Sequence, residues 1–278
     1  MNSQTYCYSV TALQVPLLRH KLSMNNRSIL CSLFVSASIL LATILSFNVQ
    51  STSHSKNTDL VAYYQTNGKH MVATKEVIHL FKRLYPPEQI HMHNDGGPSL
   101  LRAIAHLNGI RHYTYDRSSG CIAQKEGMYF ISAQTGAAYL ERLSNVARAA
   151  PWVLLLEDDV WLHSAINTEG LIYDINGECK AHFNEGLANF VRPPVSNCYG
   201  GCGGMVVRSS RLLRANISTA MVDSLIKASD KHNIASDELL SAVILLAGGT
   251  IGPMEGYFES NYYLGTHPVV QHQAKALY

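Results

Sequence analysis

The sequence predicts an α/β fold of the Rossmann-like type, in which helices flank a mostly parallel central sheet. Three observations predict this fold. Strand-length apolar runs alternate with helical stripes from residue 60 onward. The run "VLLL" at 153–156 lacks polar alternation, as expected for a central strand buried on both faces. Three acidic residues follow that run, and ligands of parallel sheets bind at the carboxyl ends of strands.

The first seven predicted elements alternate between strand and helix. Apolar residues recur at helical spacing in the first helix, and Pro86 and Pro87 end it. Gly109 is the expected cap of the second helix. Farther along, an apolar helix over 234–249 has Ser236 as its expected N-cap. The first strands are predicted at 60–66, 89–95, 111–116 and 152–158, and the helices between them at 73–84, 99–109 and 134–149.

An uncharged run of 22 residues at 28–49 precedes this region and is long enough to cross a bilayer. The alternatives are a signal-peptide core, which is usually shorter, or a buried helix. Arg19, Lys21 and Arg27 all lie before the run, so the positive-inside tendency makes this a type II membrane protein. The predicted organisation is a cytosolic tail at 1–27, an N-terminal transmembrane anchor at 28–49, a polar stem at 50–58 and a lumenal domain at 59–278.

The charge distribution argues against a nucleic-acid partner. The net charge of the whole chain is +2. All 20 acidic residues and 19 of the 22 Lys and Arg lie beyond residue 50, which leaves that part near −1 (19 − 20). Binding to a polyanion usually needs a clear excess of basic residues, and none is present here.

Four cysteines lie on the predicted lumenal side, where disulfides are permitted. Three pairings of these four are possible, and the sequence does not choose among them. A zinc site is a weaker alternative, because no clear second ligand pair accompanies Cys198 and Cys202. Asn216 opens an N-glycosylation sequence, which is compatible with the same topology. The four cysteines are Cys121, Cys179, Cys198 and Cys202.

The acidic triplet Glu157, Asp158 and Asp159 is the strongest chemical signal in the chain. Adjacent carboxylates repel one another, so their clustering is unfavourable unless a cation or several donors neutralise them. Hard divalent ions such as Mg²⁺ and Mn²⁺ prefer oxygen ligands and also bind phosphates. The alternative is an acidic turn at a helix N-terminus. The position directly after a buried strand favours the metal site.

"LLLEDDV" resembles the metal-binding Asp-x-Asp motif of GT-A glycosyltransferases in a Glu-Asp-Asp form, and the order of strands and helices before it is similar. The resemblance covers about residues 60–275. It implies that Asp159 binds the metal and that Glu157 and Asp158 support it or contact the ribose. It also implies nucleotide contacts at the ends of the first two strands and one on the preceding helix. Those residues are Gln65, Thr66, Asp95 and Arg142.

The same resemblance implies a strand and a helix over 203–213 and assigns residues in the second half. Gly203 and Gly204 would line the sugar pocket, since glycines let a backbone approach a ligand closely. Asp237, with Glu238 second, would be the general base that deprotonates the acceptor if the reaction inverts; the alternative is acids on a helix dipole. A late histidine, His272 ahead of His267, would complete the metal site. Lys275 could reach a diphosphate.

The resemblance therefore implies an enzyme of the hexosyl- or N-acetylhexosaminyl-transferase type, dependent on Mn²⁺ or Mg²⁺. It would move a sugar from a nucleotide-sugar donor to a hydroxyl of a glycan, glycoprotein or glycolipid. Residues 28–49 would hold it in the lipid bilayer of the Golgi or endoplasmic reticulum. Two alternatives remain open: a nucleotidyltransferase, and a non-catalytic carbohydrate-binding or scaffold module derived from a transferase.

Overall fold

The computed structural model describes residues 59–115, 129–130, 132–180, 184–191, 198–200, 203–259 and 269–272. The predicted tail, anchor and stem lie outside these residues, as do Cys121, Cys202, His267 and Lys275. Among the helices of the described residues, none has the length and apolar character that a membrane span requires.

A seven-stranded sheet forms the centre of the domain, in the order β12-β7-β10-β5-β1-β2-β3. Four of its six pairings are parallel, and the two made by β10, with β5 and β7, are antiparallel. The predicted mostly parallel sheet is therefore confirmed. Its strands are β1 (Leu60–Thr66), β2 (Ile90–Asp95), β3 (Arg111–Tyr115), β5 (Trp152–Leu156), β7 (Ile175–Gly177), β10 (Val206–Arg208) and β12 (Ile251–Pro253).

Seven α-helices of the described residues accompany the sheet. Within the described residues, helices are present in the predicted places, with ends shifted by up to three residues from the predicted ones. Short 3₁₀ turns lie at Pro87–Gln89 and Thr168–Gly170. The helices are α1 (Met71–Leu84), α2 (Leu100–Leu107), α3 (Ala133–Ala147), α4 (Glu185–Val191), α5 (Ser209–Arg214), α6 (Thr219–Ala228) and α7 (Ser236–Leu246).

The two faces of the sheet bury two separate apolar clusters. Every residue of β5 is buried, and successive residues point to opposite faces. Val153 and Leu155 join the cluster under α3, α6 and α7, whereas Leu154 and Leu156 join the cluster under α1 and α2. Because both faces of β5 are covered, the sequence of this strand shows no polar alternation.

In the part of the chain that the structure describes, three small sheets lie outside the central one. β4 (Tyr129–Phe130) pairs with β11 (Ile234–Ala235), and β8 (Cys179–Lys180) pairs with β9 (Tyr199–Gly200). The third sheet has the order β13-β14-β6 and joins the C-terminal part of the chain to the segment after the acidic triplet. Its strands are β6 (Trp161–Leu162), β13 (Tyr257–Glu259) and β14 (Val270–His272).

A disulfide between Cys179 and Cys198 joins β8 to the residue before β9, with the Cα atoms 5.2 Å apart. The sequence allowed three pairings of the four candidate cysteines, and the structure selects this one for two of them. The bond ties β8 to the residue that enters β9, the strand with which β8 pairs.

Candidate functional site

The acidic triplet lies where β5 ends, at the carboxyl edge of the parallel strands. Leu156 is the last strand residue, and a tight turn follows in which the Val160 N–H donates to the Glu157 carbonyl at 3.2 Å. This turn leads directly into β6. The apolar half of the segment therefore fixes the strand in the core and places the acids at the edge where such sheets bind ligands.

Glu157, Asp159 and His272 form a group that could hold a metal ion. Each offers one ligand atom, and these atoms all lie within 4.8 Å of one another. The His272 Nε2 atom is 3.8 Å from the Asp159 Oδ1 atom. Asp159 and His272 are buried, and Glu157 is half-buried. Two carboxylates so close to each other repel, and a divalent cation between them would offset that repulsion.

Strand β14, which lies late in the sequence, places His272 beside the acidic triplet. Val270 lies opposite Leu162, and Gln271 lies opposite Trp161, in an antiparallel pairing of β14 with β6. The His163 N–H donates to the Val269 carbonyl at 3.0 Å and extends this pairing. Since β6 begins two residues after Asp159, its partner strand ends beside the triplet. The arrangement therefore places His272 beside the triplet, whereas His267 lies outside the described residues.

Asp158 faces away from the candidate metal group, into the domain. Its carboxylate accepts hydrogen bonds from the Tyr64 hydroxyl at 2.6 Å and from the Thr66 and Thr74 hydroxyls, each at 3.1 Å. Burial raises the pKa of Asp158, and the three hydroxyl donors lower it in part. Burial also raises the pKa of Tyr64, and the Asp158 charge raises it further. These contacts favour a structural role for Asp158.

Thr66, which the sequence assigned to the nucleotide, is also part of this hydroxyl cluster. Its side chain is buried, donates to Asp158 and accepts a hydrogen bond from the Gly68 N–H at 3.0 Å. The geometry therefore favours a role for Thr66 in shaping the turn after β1. Thr74, on α1, belongs to the same cluster and carried no signal in the sequence.

Gln65, Asp95 and Arg142 come together at the ends of β1 and β2, as the resemblance implies. The Gln65 side-chain amide donates to one Asp95 oxygen at 3.2 Å, and Arg142 from α3 lies 3.4 Å from the other. The Arg142 guanidinium also stacks over the Tyr115 ring, 3.4 Å from its centroid. The predicted nucleotide residues thus form one polar group with an aromatic side chain that the sequence did not single out.

A buried histidine and three tyrosines lie beside this group. The His93 ring stacks against Tyr113 at 4.8 Å between centroids and contacts Tyr63 in a tilted arrangement at 4.4 Å. The His93 Nδ1 atom lies 3.1 Å from the Tyr115 hydroxyl oxygen. Burial lowers the pKa of His93 to about 3, and it lowers the pKa of His91 to about 4. Both imidazoles are therefore neutral at pH 7. The i, i+2 spacing in "HMHND" was the available signal, because it puts these side chains on one face of a strand.

The glycine segment packs directly against the acidic triplet. A Cβ atom on Gly203 would lie 2.5 Å from Val160 Cγ2 and 3.2 Å from two carbons of Glu157. Gly204 has a φ of +86°, and its N–H donates to the Leu155 carbonyl at 2.7 Å. The Tyr257 hydroxyl donates to the Gly203 carbonyl at 2.8 Å. Glycine is thus required at 203 for the backbone to pass beside a candidate metal ligand.

The two acids at the start of α7 have different surroundings. The Glu238 carboxylate accepts the Ala235 N–H at 3.2 Å, and the Asp237 carboxylate accepts the Glu238 N–H at 2.9 Å. Ala235 is the N-cap and Ser236 is the first helical residue, so the expected N-cap at Ser236 is wrong. Glu238 can take over the capping because it reaches back to Ala235. Burial raises the pKa of Glu238.

Asp237 lies on the same face of α7 as Ser241. Ser241, one turn later and therefore on the same helix face, accepts a hydrogen bond from the Gly200 N–H at 3.0 Å. The helix face that carries Asp237 therefore packs against β9.

The fold and the site define an α/β protein with a candidate cation site at the carboxyl edge of its sheet. No protein-family model matches the sequence, and no curated protein matches it. Among solved structures, the fold is shared by the galactosyltransferase LgtC in complex with donor and acceptor sugar analogs. That match has a TM-score of 0.50 and 14% identity over 77% of this chain and 86% of the other. An active-site mutant of LgtC matches with a TM-score of 0.51 and 11% identity over 76% and 86%.

Proposed function

We propose that this protein is a metal-dependent glycosyltransferase that moves a sugar from a nucleotide-sugar donor to an acceptor hydroxyl. The observation that carries the proposal is the Glu157, Asp159 and His272 group at the carboxyl edge of a parallel sheet. The fold that the chain shares with a galactosyltransferase supports it. A bound divalent ion would offset negative charge that develops on the leaving diphosphate.

The donor atoms favour Mn²⁺ over Mg²⁺ as the ion. Carboxylates suit both ions, whereas imidazole is a ligand of transition metals and is uncommon for Mg²⁺. The presence of His272 among the three candidate ligands therefore favours Mn²⁺. Gln65, Asp95 and Arg142 would hold the nucleotide part of the donor, with Tyr115 beside them.

In the proposed reaction, the bond between the sugar anomeric carbon and the diphosphate oxygen breaks, and a bond to the acceptor oxygen forms. If the configuration inverts, the acceptor proton passes to a carboxylate, for which Asp237 is the candidate. Glu238 is the weaker candidate, because its carboxylate already caps α7. A sugar of the hexosyl or N-acetylhexosaminyl type and an acceptor on a glycan, glycoprotein or glycolipid complete the proposal.

We further propose that the domain is lumenal, in the Golgi or endoplasmic reticulum, and is tethered to the bilayer by residues 28–49. The Cys179–Cys198 disulfide supports this location, since disulfides persist in oxidising compartments and are rare in the cytosol. The basic residues before the apolar run support the same orientation.

The test is a thermal-shift and turnover screen of the full chain with UDP- and GDP-sugars, with Mn²⁺ or with EDTA. We expect Mn²⁺ and one donor together to raise the melting temperature, because ligands that bind only the folded state stabilise it. Asp159→Asn should abolish the Mn²⁺-dependent shift and lower turnover at least about 100-fold. Asp223→Asn is the matched control, since Asp223 is an exposed acid paired with Lys227.

Other outcomes would assign other functions. Release of pyrophosphate from a nucleoside triphosphate would identify a nucleotidyltransferase. Donor or glycan binding without turnover would identify a non-catalytic module. Full activity of Asp159→Asn, or of the wild type in EDTA, would contradict the metal-dependent mechanism.

A further inference from the structure

A surface asparagine between α5 and α6 has the sequence and the exposure of an N-glycosylation site. Asn216, Ile217 and Ser218 form an Asn-x-Ser acceptor sequence. We propose that Asn216 carries an N-linked glycan. The proposal goes beyond sugar transfer by this chain, and it rests on one part of the proposed function, the lumenal location of the domain.

The backbone around Asn216 directs its side chain outward. The Ile217 N–H donates to the Ala215 carbonyl at 3.0 Å, which closes a tight three-residue turn with Asn216 at its tip. Ala215 and Ile217 are half-buried and pack against the apolar cluster under α3, α6 and α7. Asn216 itself is exposed. The two neighbours thus anchor the turn, and the amide that would carry the glycan points to solvent.

Ser218 has a second role in the fold. It is the N-cap of α6, and its hydroxyl accepts a hydrogen bond from the Met221 N–H at 3.2 Å. Loss of that hydroxyl would remove the acceptor sequence and would also destabilise the start of α6. Asn216→Gln is therefore the cleaner variant, and Ser218→Thr should preserve both the cap and the acceptor sequence.

The position of the turn is compatible with an active domain. Asn216 follows α5, which begins at Ser209, and the Ser209 N–H donates to the Pro151 carbonyl at 2.9 Å. Pro151 precedes the first residue of β5, whereas the acidic triplet follows the last. The helix before the turn thus begins at the opposite end of β5 from the candidate metal group. We expect sugar transfer to be unchanged in Asn216→Gln.

The sequence contains one other Asn-x-Ser/Thr sequence, which opens at Asn26 just before the apolar run. The proposed topology places it on the cytosolic side, where no N-glycan is added. We therefore expect opposite results at the two asparagines: Asn216 is modified and Asn26 is not.

The experiment is to produce the full chain in eukaryotic cells, treat it with an N-glycosidase, and map glycopeptides by mass spectrometry. Wild type and Ser218→Thr should lose mass on treatment, whereas Asn216→Gln should not. A reporter for location is Glu169→Thr in the Asn216→Gln background, which creates an acceptor sequence at the exposed Asn167. We expect the reporter to be glycosylated.

Each other result overturns the assignment and identifies which premise failed. An unmodified Asn216 with a modified reporter would mean that the domain is lumenal and Asn216 is not a site. If neither is modified, or if only Asn26 is, the lumenal location fails together with the assignment. The transferase screen is a separate readout, so its failure is distinguishable from both.

Discussion

At the scale of single residues, the three consecutive carboxylates occupy two different environments. Glu157 and Asp159 lie with His272 in the candidate metal group. Asp158, between them, accepts hydrogen bonds from Tyr64, Thr66 and Thr74 on the inner side. Three hydroxyl donors stabilise the Asp158 charge, and a cation would stabilise the charges of Glu157 and Asp159. The repulsion among the three adjacent carboxylates is offset in these two ways.

Asp158 holds the turn that orients its two neighbours, so Asp158→Asn should weaken metal binding without direct contact with the metal. We expect Mn²⁺ affinity to fall about 10-fold or more, the size of effect seen when groups that orient metal ligands are removed. Titration of Mn²⁺ by electron paramagnetic resonance measures this affinity. Asp223→Asn should leave it unchanged, and an unaltered affinity in Asp158→Asn would rule out the positioning role.

Gly203→Ala tests the close approach of the glycine segment to Glu157. The added methyl would lie 2.5 Å from Val160 Cγ2, so the segment or the triplet must shift. We expect a loss of about 1–3 kcal/mol of stability together with weaker Mn²⁺ binding, measured by denaturant unfolding and metal titration. Gly170→Ala is the matched control, because the added methyl there would meet only the Asn167 side chain, at 3.3 Å. Wild-type binding by Gly203→Ala would show that the contact is dispensable.

At the scale of elements, the strands and helices of the alternating first half and the short strand β10 were expected, and the other short strands were missed. β1, β2, β3 and β5 were predictable because strand-length segments alternate there with helical stripes and are bounded by turn residues. The antiparallel direction of β10 was not predictable, because the three residues Val206–Arg208 carry no signal for strand direction. β14 is equally short and its pairing with β6 is long-range, so only the structure shows that it delivers His272.

The first turn of α7 separates a capping acid from a candidate base. Glu238→Gln should lower stability by about 1 kcal/mol, because it removes a charged acceptor at the helix N-terminus, and should keep most activity. Asp237→Asn should keep stability closer to wild type and lower the rate constant for transfer about 100-fold or more, the usual contribution of a general base. Thermal unfolding and single-turnover rates distinguish the two variants. The reverse pattern would exchange their roles.

At the scale of the whole molecule, the site is assembled from residues far apart in the sequence, and this limits what sequence reasoning can find. The acidic triplet was identifiable because local charge contradicts a buried strand. The partners of Asp158 were not, since Tyr64 and Thr74 look like ordinary core and helix residues until β1 and α1 meet the triplet. The stacking of Tyr115 against Arg142 likewise depends on how α3 packs across the sheet.

The two buried histidines make the stability of the domain sensitive to acid. In the unfolded chain they take up protons near pH 6.5, but in the fold burial holds the pKa of His93 at about 3 and that of His91 at about 4. Between pH 6.5 and these lowered pKa values, the unfolded state binds more protons than the folded state. The contribution of the two histidines to stability therefore falls as pH drops below 6.5.

Denaturant unfolding at pH 7 and pH 5 checks this expectation. Asp158 and Glu238 act in the opposite sense, because their raised pKa values make the fold bind protons more readily. The comparison between variants is therefore the test. His93→Gln should lose less stability than wild type between pH 7 and pH 5, and His79→Gln, at an exposed position, should behave as wild type. An equal loss in His93→Gln would contradict a buried neutral His93.

Strand β14, which carries His272, follows every strand of the central sheet in the sequence. The candidate metal group therefore depends on residues that the central sheet does not need. All seven strands of the central sheet lie between Leu60 and Pro253, so a polypeptide that stopped at residue 268 would retain every one of them. It would lack β14, and with it one of the three candidate ligands. During synthesis, the candidate metal group could therefore form only after residue 272 had left the ribosome. A premature stop before β14 would yield a protein with an intact sheet that lacks one candidate metal ligand.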